Sequence, residues 1–409
     1  MWAWPSLAAL ILLEASPAPA PSGLPLLLPP RGFEARPQDH TLKMPGVQAA
    51  ALRADALVRA RIWMQPETAI ERADLRHTPR AEVPVPDEAV CRFFFKKTNG
   101  STQKFFCVFR GGEVMKVKYG RDAEIQTEVA ATRLFRALGA GANEMYYVKK
   151  LRCFGCPKEP DALLRCVSSR SAEVRRECAP IYGERTPAGG FQVRLDYGRY
   201  VDFTNVSVQH WFPGKTIRTD RVDGWGWDEL DRLQSGSGGA SRAERDALRL
   251  LAVFLNDWDN SADNQRLVCL SGGEQDGGGC SRPFAYVDDL GGTFGGIPKI
   301  WTRTESAPDV EGWRAVPVWK DAASCRVSLR SPALHHATFK DAEISESGRR
   351  FLADRLRRLS PAQIRGLFEA AGFGDLEGAS EQSRDLGRWV SAFEGKAREI
   401  VEAGPCPTP

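Results

Sequence analysis

Between residues 253 and 296 the chain reads VFLNDWDNSADNQRLVCL, then a glycine-rich excursion, then PFAYVDDLGGTFGG. Asp259 is followed five positions later by Asn264, and a second strand-like segment then delivers Asp288 and Asp289 just before Gly291-Gly292. Phosphoryl transfer is mostly positioning and charge neutralisation, so a protein that performs it needs a metal-holding pair and one carboxylate facing the attacking hydroxyl. Asp259, Asn264 and Asp289 suit those three tasks. The oxygen donors of Asn264 and Asp289 match Mg²⁺, which keeps several waters and takes only one or two protein ligands beside nucleotide phosphates. A calcium loop starting at Asp257 fails at two diagnostic places, Ala262 at its sixth position and Val268 at its twelfth. The plainer alternative is that these Asp and Asn residues only cap a helix and turn the chain.

A second constellation lies upstream. CRFFFKKTNGSTQKFFCVFRGGEVMKVKYG, from Cys91 to Gly120, reads as three short strands broken by Asn99-Gly100 and Gly111-Gly112, an antiparallel sheet with tight hairpins. Gly100, Ser101 and Thr102 at the first tip offer N–H groups and hydroxyls to phosphates. Lys116 and Lys118 share a face of the third strand because strand side chains alternate with period two. AEIQTEVAATRLFRALGAG, from Ala123 to Gly141, is a helix pattern with Ile125, Val129, Leu134 and Leu138 on one apolar stripe. Glu128, beside that stripe, is the expected ion-pair partner of the lysine.

The order NGSTQKFF, VMKVKYG, TEVAATRLF, DNSADN, YVDDLGGTFG resembles the atypical kinases that include type II phosphatidylinositol 4-kinases, the HipA toxin kinases and secreted Golgi casein-kinase-like enzymes. The resemblance spans about residues 90 to 295. It implies an α+β, bilobal protein-kinase-like fold: an N-terminal antiparallel sheet plus one helix, and a mainly helical C-terminal lobe. It also implies Asp259 as catalytic base, Asn264 and Asp289 as metal ligands, Lys116 as the phosphate-contacting lysine and Glu128 as its partner, with ATP and Mg²⁺ or Mn²⁺ as cofactors. There is no HRD motif, Asp288 competes with Asp289 for the ligand register, and Lys118 competes with Lys116. Lys116 is favoured because an apolar pair precedes it, and Asp289 because Leu290-Gly291 then falls where Phe-Gly falls in ordinary kinases.

The rest of the chain is organised around these segments. Arg199 to Ile217 is strand-like from Val201 to Phe212 and ends at Pro213-Gly214, which suits a hinge where Gln209, Trp211 and Phe212 contact a purine. Ser241 and Glu244 form a capping box for a helix that would deliver the catalytic loop at its C-terminal end. Val47 to Arg72 reads as largely helical with a break at Pro66, and the C-terminal part as helical, with Ser360 capping PAQIRGLFEAAGF and a last helix near Arg388 to Glu402. The divisions expected are a signal peptide (1–20), a Pro-rich linker and helical extension (21–85), an N-lobe (86–214) and a C-lobe (215–409).

Residues Leu7 to Leu13 are apolar and small residues follow, which reads as a signal peptide despite the absent basic n-region. The even count of 10 cysteines agrees with a secreted or periplasmic location. Cys269 and Cys280 bracket the glycine-rich excursion and suit a local bridge, whereas a zinc site from Cys153, Cys156, Cys166 and Cys178 competes with disulfides for the upstream cluster. The net charge of +4 gives no footprint for nucleic acid, and no apolar run reaches the roughly 20 residues of a membrane span. A monomer acting on a protein or glycan hydroxyl is expected. The competing readings are a nucleotide-binding pseudokinase, an AMP transferase on the same fold, and a disulfide-rich extracellular interaction protein.

Overall fold

Strand periodicity builds the first half of the protein into a closed barrel. In the computed structural model, residues 33–407 are described apart from 37–39, 67, 77–87, 99, 101, 122–123, several positions between 170 and 194, 221, 296–307, 330–335 and 377–378. The signal-peptide expectation and Ser101 therefore fall outside the described residues. Strands β1 (Glu88–Phe94), β2 (Lys104–Val108), β3 (Val114–Lys118) and β4 (Glu144–Phe154) are followed by a small hairpin, β5 (Gly183–Arg185) and β6 (Phe191–Val193), and by the long β7 (Tyr200–His210). The barrel order is β1-β2-β3-β7-β4. Every pair is antiparallel except β1 with β4, whose parallel pairing closes the expected antiparallel sheet into a ring. Closure leaves this sheet without an unpaired edge strand.

Alternation sorts the side chains. Phe93, Phe105, Met115, Val117, Val148 and Val208 fill the interior. The opposite face of β2, β3 and β7 carries Lys104, Phe106, Lys116, Lys118, Ser207 and Gln209 in cross-strand register. Helix α1 (Ala49–Val58) precedes the barrel, and helix α2 (Glu124–Leu138) follows β3 and packs on β4 and β7. The sequence pattern had placed α2 between Ala123 and Gly141. Gly139, with φ of 91°, turns the chain after its last residue, where a Cβ would stand 2.5 Å from the Met64 carbonyl.

After the short helix α3 (Pro160–Ser168) and the barrel, the chain forms a second sheet and a helical body. Strands β8 (Lys215–Thr216), β9 (Gln265–Cys269) and β10 (Pro283–Val287) pair in the order β10-β9-β8. Helix α4 (Arg242–Leu255) starts at the expected capping box, with the Glu244 N–H donating to Ser241 Oγ and the Glu244 carboxylate accepting from the Ser241 N–H. Helices α5 (Val310–Ala315), α6 (Glu346–Leu356), α7 (Pro361–Ala370), α8 (Glu381–Arg384) and α9 (Leu386–Val401) complete it, with Ser360 capping α7 as its sequence predicts. Phe254, Phe294, Trp313, Phe368, Trp389 and Phe393 form one aromatic cluster at its centre. Trp313 and Trp319 are packing residues.

The N-terminal extension departs from the expected helix. Ala49–Val58 is α-helical and Ile70–Arg72 forms a single 3-10 turn, and between them the chain runs extended so that Arg61 bridges Phe284 and Trp63 bridges Ala140. Backbone partners offered by β10 and by the end of α2 outweigh the local helix pattern.

Four disulfides join described residues: Cys91–Cys107, Cys153–Cys156, Cys269–Cys280 and Cys325–Cys406. The bridge across the β9–β10 hairpin is the one its spacing suggested. The zinc alternative fails, since Cys153 and Cys156 bond each other and Cys166 is also in a disulfide, leaving no thiolate ligand there. Cys325–Cys406 spans 81 residues and ties the chain's end to the segment before β12 (Ala342–Glu343), which pairs with β11 (Arg326–Val327). Cys406→Ser should lower stability by about 2–5 kcal/mol, because it restores the freedom of a long loop in the unfolded chain. Calorimetry under non-reducing conditions measures the loss.

Candidate active site

The site begins with Lys118. Its ammonium, on a fully buried residue, lies 2.9 Å from Glu128, 3.1 Å from Glu124 and 3.3 Å from Asp289. The expected pair between a strand lysine and Glu128 is thus present, but Lys118 makes it rather than the favoured Lys116. Both lysines leave the same face of β3. Lys118 sits at the end nearer α2, and Lys116 is half-buried with its ammonium 5.4 Å above the Trp211 ring.

One partner of Lys118 and one further lysine beside it went unnoticed in the sequence. Glu124 is one helical turn before Glu128 and on the same face, and it accepts from Thr102 Oγ1 at 2.5 Å, tying the Gly100–Thr102 tip to the site. Gly100 takes the positive φ of 89° that its hairpin tip requires. Lys104 stands opposite Lys118 in the β2–β3 register, so three lysines line one face. Burial and then Lys118 push the Lys104 pKa down.

Asp259, Asn264 and Asp289 come together through backbone bonds between the two loops. Asn264 Nδ2 donates to the Asp259 carbonyl at 2.7 Å, and the Asn264 carbonyl accepts from the N–H groups of Asp288 and Asp289 at 2.8 and 3.1 Å. The Trp258 N–H reaches the Gly292 carbonyl, the Phe294 N–H reaches the Leu255 carbonyl, and Asn256 Nδ2 reaches the Gly295 carbonyl. Asn256 caps α4 in the left-handed region, φ 56°, and so aims the chain into the loop. Gly291 and Gly292 are required by close approach: a Cβ would stand 2.7 Å from Glu124 Cγ at the first and 3.0 Å from Asp259 Cβ at the second.

Asp288 and Asp289 face different partners. Asp288 accepts from Asn143 Nδ2 at 2.6 Å and from the Tyr286 hydroxyl at 3.3 Å, and it pairs with Arg266 at 3.2 Å. Asp289 faces Lys118. Burial raises the Asp289 pKa, but Lys118, Lys116 and Lys104 outweigh it and hold the carboxyl below the usual carboxylate range. For Lys118, burial opposes protonation and Asp289, Glu128 and Glu124 overcome it, keeping the amine charged.

The residues expected at a hinge divide. Gln209 pairs with Lys116 across β3 and β7, is fully buried, and neither side-chain amide atom has a partner among the described residues. Trp211 joins Phe106 and Phe33 in an apolar group beside Lys116. Phe212 does not join them. Its ring stacks on Phe284 and Tyr286, and its N–H donates to Asn143 Oδ1 at 3.0 Å, because consecutive residues of an extended chain face opposite ways.

One buried acid enters the sequence analysis only as the start of the excluded calcium loop. Asp257 is fully buried and both its carboxylate oxygens lack partners among the described residues. Burial, then Asp259 and Asp289, push its pKa well up.

Among solved structures, the chain is similar to the Helicobacter pylori proinflammatory kinase CtkA, at 9% identity and a TM-score of 0.39 over 78% of this chain and 96% of that one. It is also similar to a Golgi casein kinase, at 11% identity and a TM-score of 0.34 over 87% of each chain. No family model and no curated protein sequence matches it.

Proposed function

We propose that this protein transfers the γ-phosphate of ATP to a hydroxyl of a protein or glycan acceptor, with Mg²⁺ or Mn²⁺ bound at the site. The observation that carries this reading is the convergence of Lys118, Glu128 and Asp289, 171 positions apart along the chain at its extremes, beside a loop presenting Asp259 and Asn264. Lys118, fixed by Glu128 and Glu124, grips the phosphates, and Lys104 and Lys116 extend the positive row that a triphosphate needs. Asp259 accepts the proton of the attacking hydroxyl. Gln209 and Trp211 face the base.

The residues fit a hard divalent cation. Asp289 and Asn264 offer oxygen donors, and Asp257 places a further buried carboxyl near them, whose oxygens have no partner among the described residues and whose proton burial, Asp259 and Asp289 favour. A bound Mg²⁺ or Mn²⁺ supplies neutralisation of the charge that builds on the phosphates during transfer. The disulfides support an oxidising compartment for the folded chain.

Purified protein incubated with γ-labelled ATP should become labelled or should label an added acceptor. Asp289→Ala should lower incorporation on the order of a hundredfold or more. Equal incorporation by both proteins would end this reading. Label arriving only from α-labelled ATP would replace it with nucleotidyl transfer, and ATP-dependent thermal stabilisation without any transfer would leave a binding protein.

A further inference from the structure

Two disulfides meet inside the barrel. Cys91 on β1 and Cys153 on β4 are cross-strand partners, and Cys107 on β2 lies on the other side of β1. The three sulfurs lie within 4.8 Å of one another. Cys107 Sγ and Cys153 Sγ are 3.5 Å apart although each is bonded elsewhere, Cys107 to Cys91 and Cys153 to Cys156. Cys91, Cys107 and Cys153 are fully buried, whereas Cys156 is partly exposed. Cys156 ends a Cys-Phe-Gly-Cys turn whose Gly155, φ 73°, leaves no room for a side chain, since a Cβ would stand 2.4 Å from the Tyr197 ring.

We propose that the barrel holds a thiol–disulfide exchange site, entered by a thiol at Cys156 and relayed by Cys153 to Cys107. The proposal is independent of the phosphotransfer reading. A small thiol, as its thiolate, attacks Cys156 Sγ, forming a mixed disulfide and expelling the Cys153 thiolate. That thiolate attacks Cys107 Sγ, 3.5 Å away, so that a Cys107–Cys153 bond forms and the Cys91–Cys107 bond breaks. Cys91 leaves as a thiolate and takes a proton. A second thiol resolves the mixed disulfide at Cys156. In sum two thiols are oxidised to one disulfide, Cys91 and Cys156 end as thiols, and one protein disulfide has moved. The cross-link that joined β2 to β1 then joins β2 to β4 across β1. Apolar burial raises the pKa of a cysteine thiol, so the internal step should quicken as pH rises.

Wild-type protein treated with limiting dithiothreitol, quenched by alkylation and digested without reduction, reads the relay by mass spectrometry. The expected products are alkylated Cys91 and Cys156, loss of the Cys91–Cys107 peptide and appearance of a Cys107–Cys153 peptide, with Cys269–Cys280 intact. Cys156→Ser gives a second test in the folded variant without added thiol: Cys107–Cys153 bonded and Cys91 alone alkylated. Alkylation of Cys153 and Cys156 together with Cys91–Cys107 preserved would overturn the proposal, as would opening of every disulfide at once or a Cys156→Ser protein whose free thiol is Cys153.

Discussion

Lys118→Met should lower phosphate transfer on the order of a hundredfold or more, whereas Lys116→Met should leave kcat within about threefold and act chiefly through the KM for nucleotide. Lys118 is the fully buried ammonium between Glu128 and Asp289, while Lys116 rests on the Trp211 ring at the rim of the same face. Removing Lys118 also strands buried carboxylates, a change that costs about 3–5 kcal/mol when a buried pair loses one member. Stability alone could therefore mimic a catalytic loss. The double variant Lys118→Met, Glu128→Gln separates the two, because it removes the stranded charge: thermal stability should recover part of the deficit and activity should not. Initial rates with labelled ATP, alongside calorimetric melting of the three variants, decide the matter. Loss on Lys116→Met equal to that on Lys118→Met would reassign the phosphate contact.

Much of this site was legible because its parts are local. Asp259 and Asn264 belong to one loop, Glu128 sits beside the apolar stripe of one helix, and the capping boxes of α4 and α7 are four-residue signatures that need no tertiary information. The choice between Lys116 and Lys118 was not legible, since alternation gives both the same face and only the approach of α2 and of the Asp289 loop makes one deep. Asp288 and Asp289 are separated by Asn143, which reaches Asp288 from just before β4, about 145 residues away. Barrel closure was hidden for the same reason: the β1–β4 pairing joins strands far apart in sequence, and each strand alternates identically whether the ring is open or shut. Trp211 and Phe212 were assigned together to a pocket although period two must separate them. The extension before the barrel read as helix because its local pattern is helical, and its bonds to Gly139 and Pro283 come from elsewhere.

Glu128 should make both stability and activity depend on pH near neutrality, in opposite directions. Burial pushes its carboxyl from 4.5 up to about 7 against the pull of Lys118. The folded state then holds a proton that the unfolded chain has released, so stability falls as pH rises from about 4.5 to about 7, by on the order of 3 kcal/mol. Asp257, raised by burial and by its two acidic neighbours, contributes with the same sign. Asp289 has the other sign: held low, it contributes stability that is lost only as pH falls below the ordinary carboxylate range. Transfer runs against the first trend, since the ionised carboxylate is what fixes Lys118 for the phosphates. The rate should fall about tenfold per pH unit below the Glu128 transition. A phosphate second ionisation near pH 6 overlaps this range, so the wild-type profile cannot stand alone. Glu128→Gln supplies the comparison. Its rate, low throughout, should lose the Glu128 inflection, and its melting temperature should decline less between pH 5 and pH 8, with Asp257 alone leaving a residual slope. Identical pH slopes of melting in the two proteins would show that Glu128 is ionised across the whole range, and the buried pair would then be a permanent clamp on Lys118 with no titrating member near neutrality.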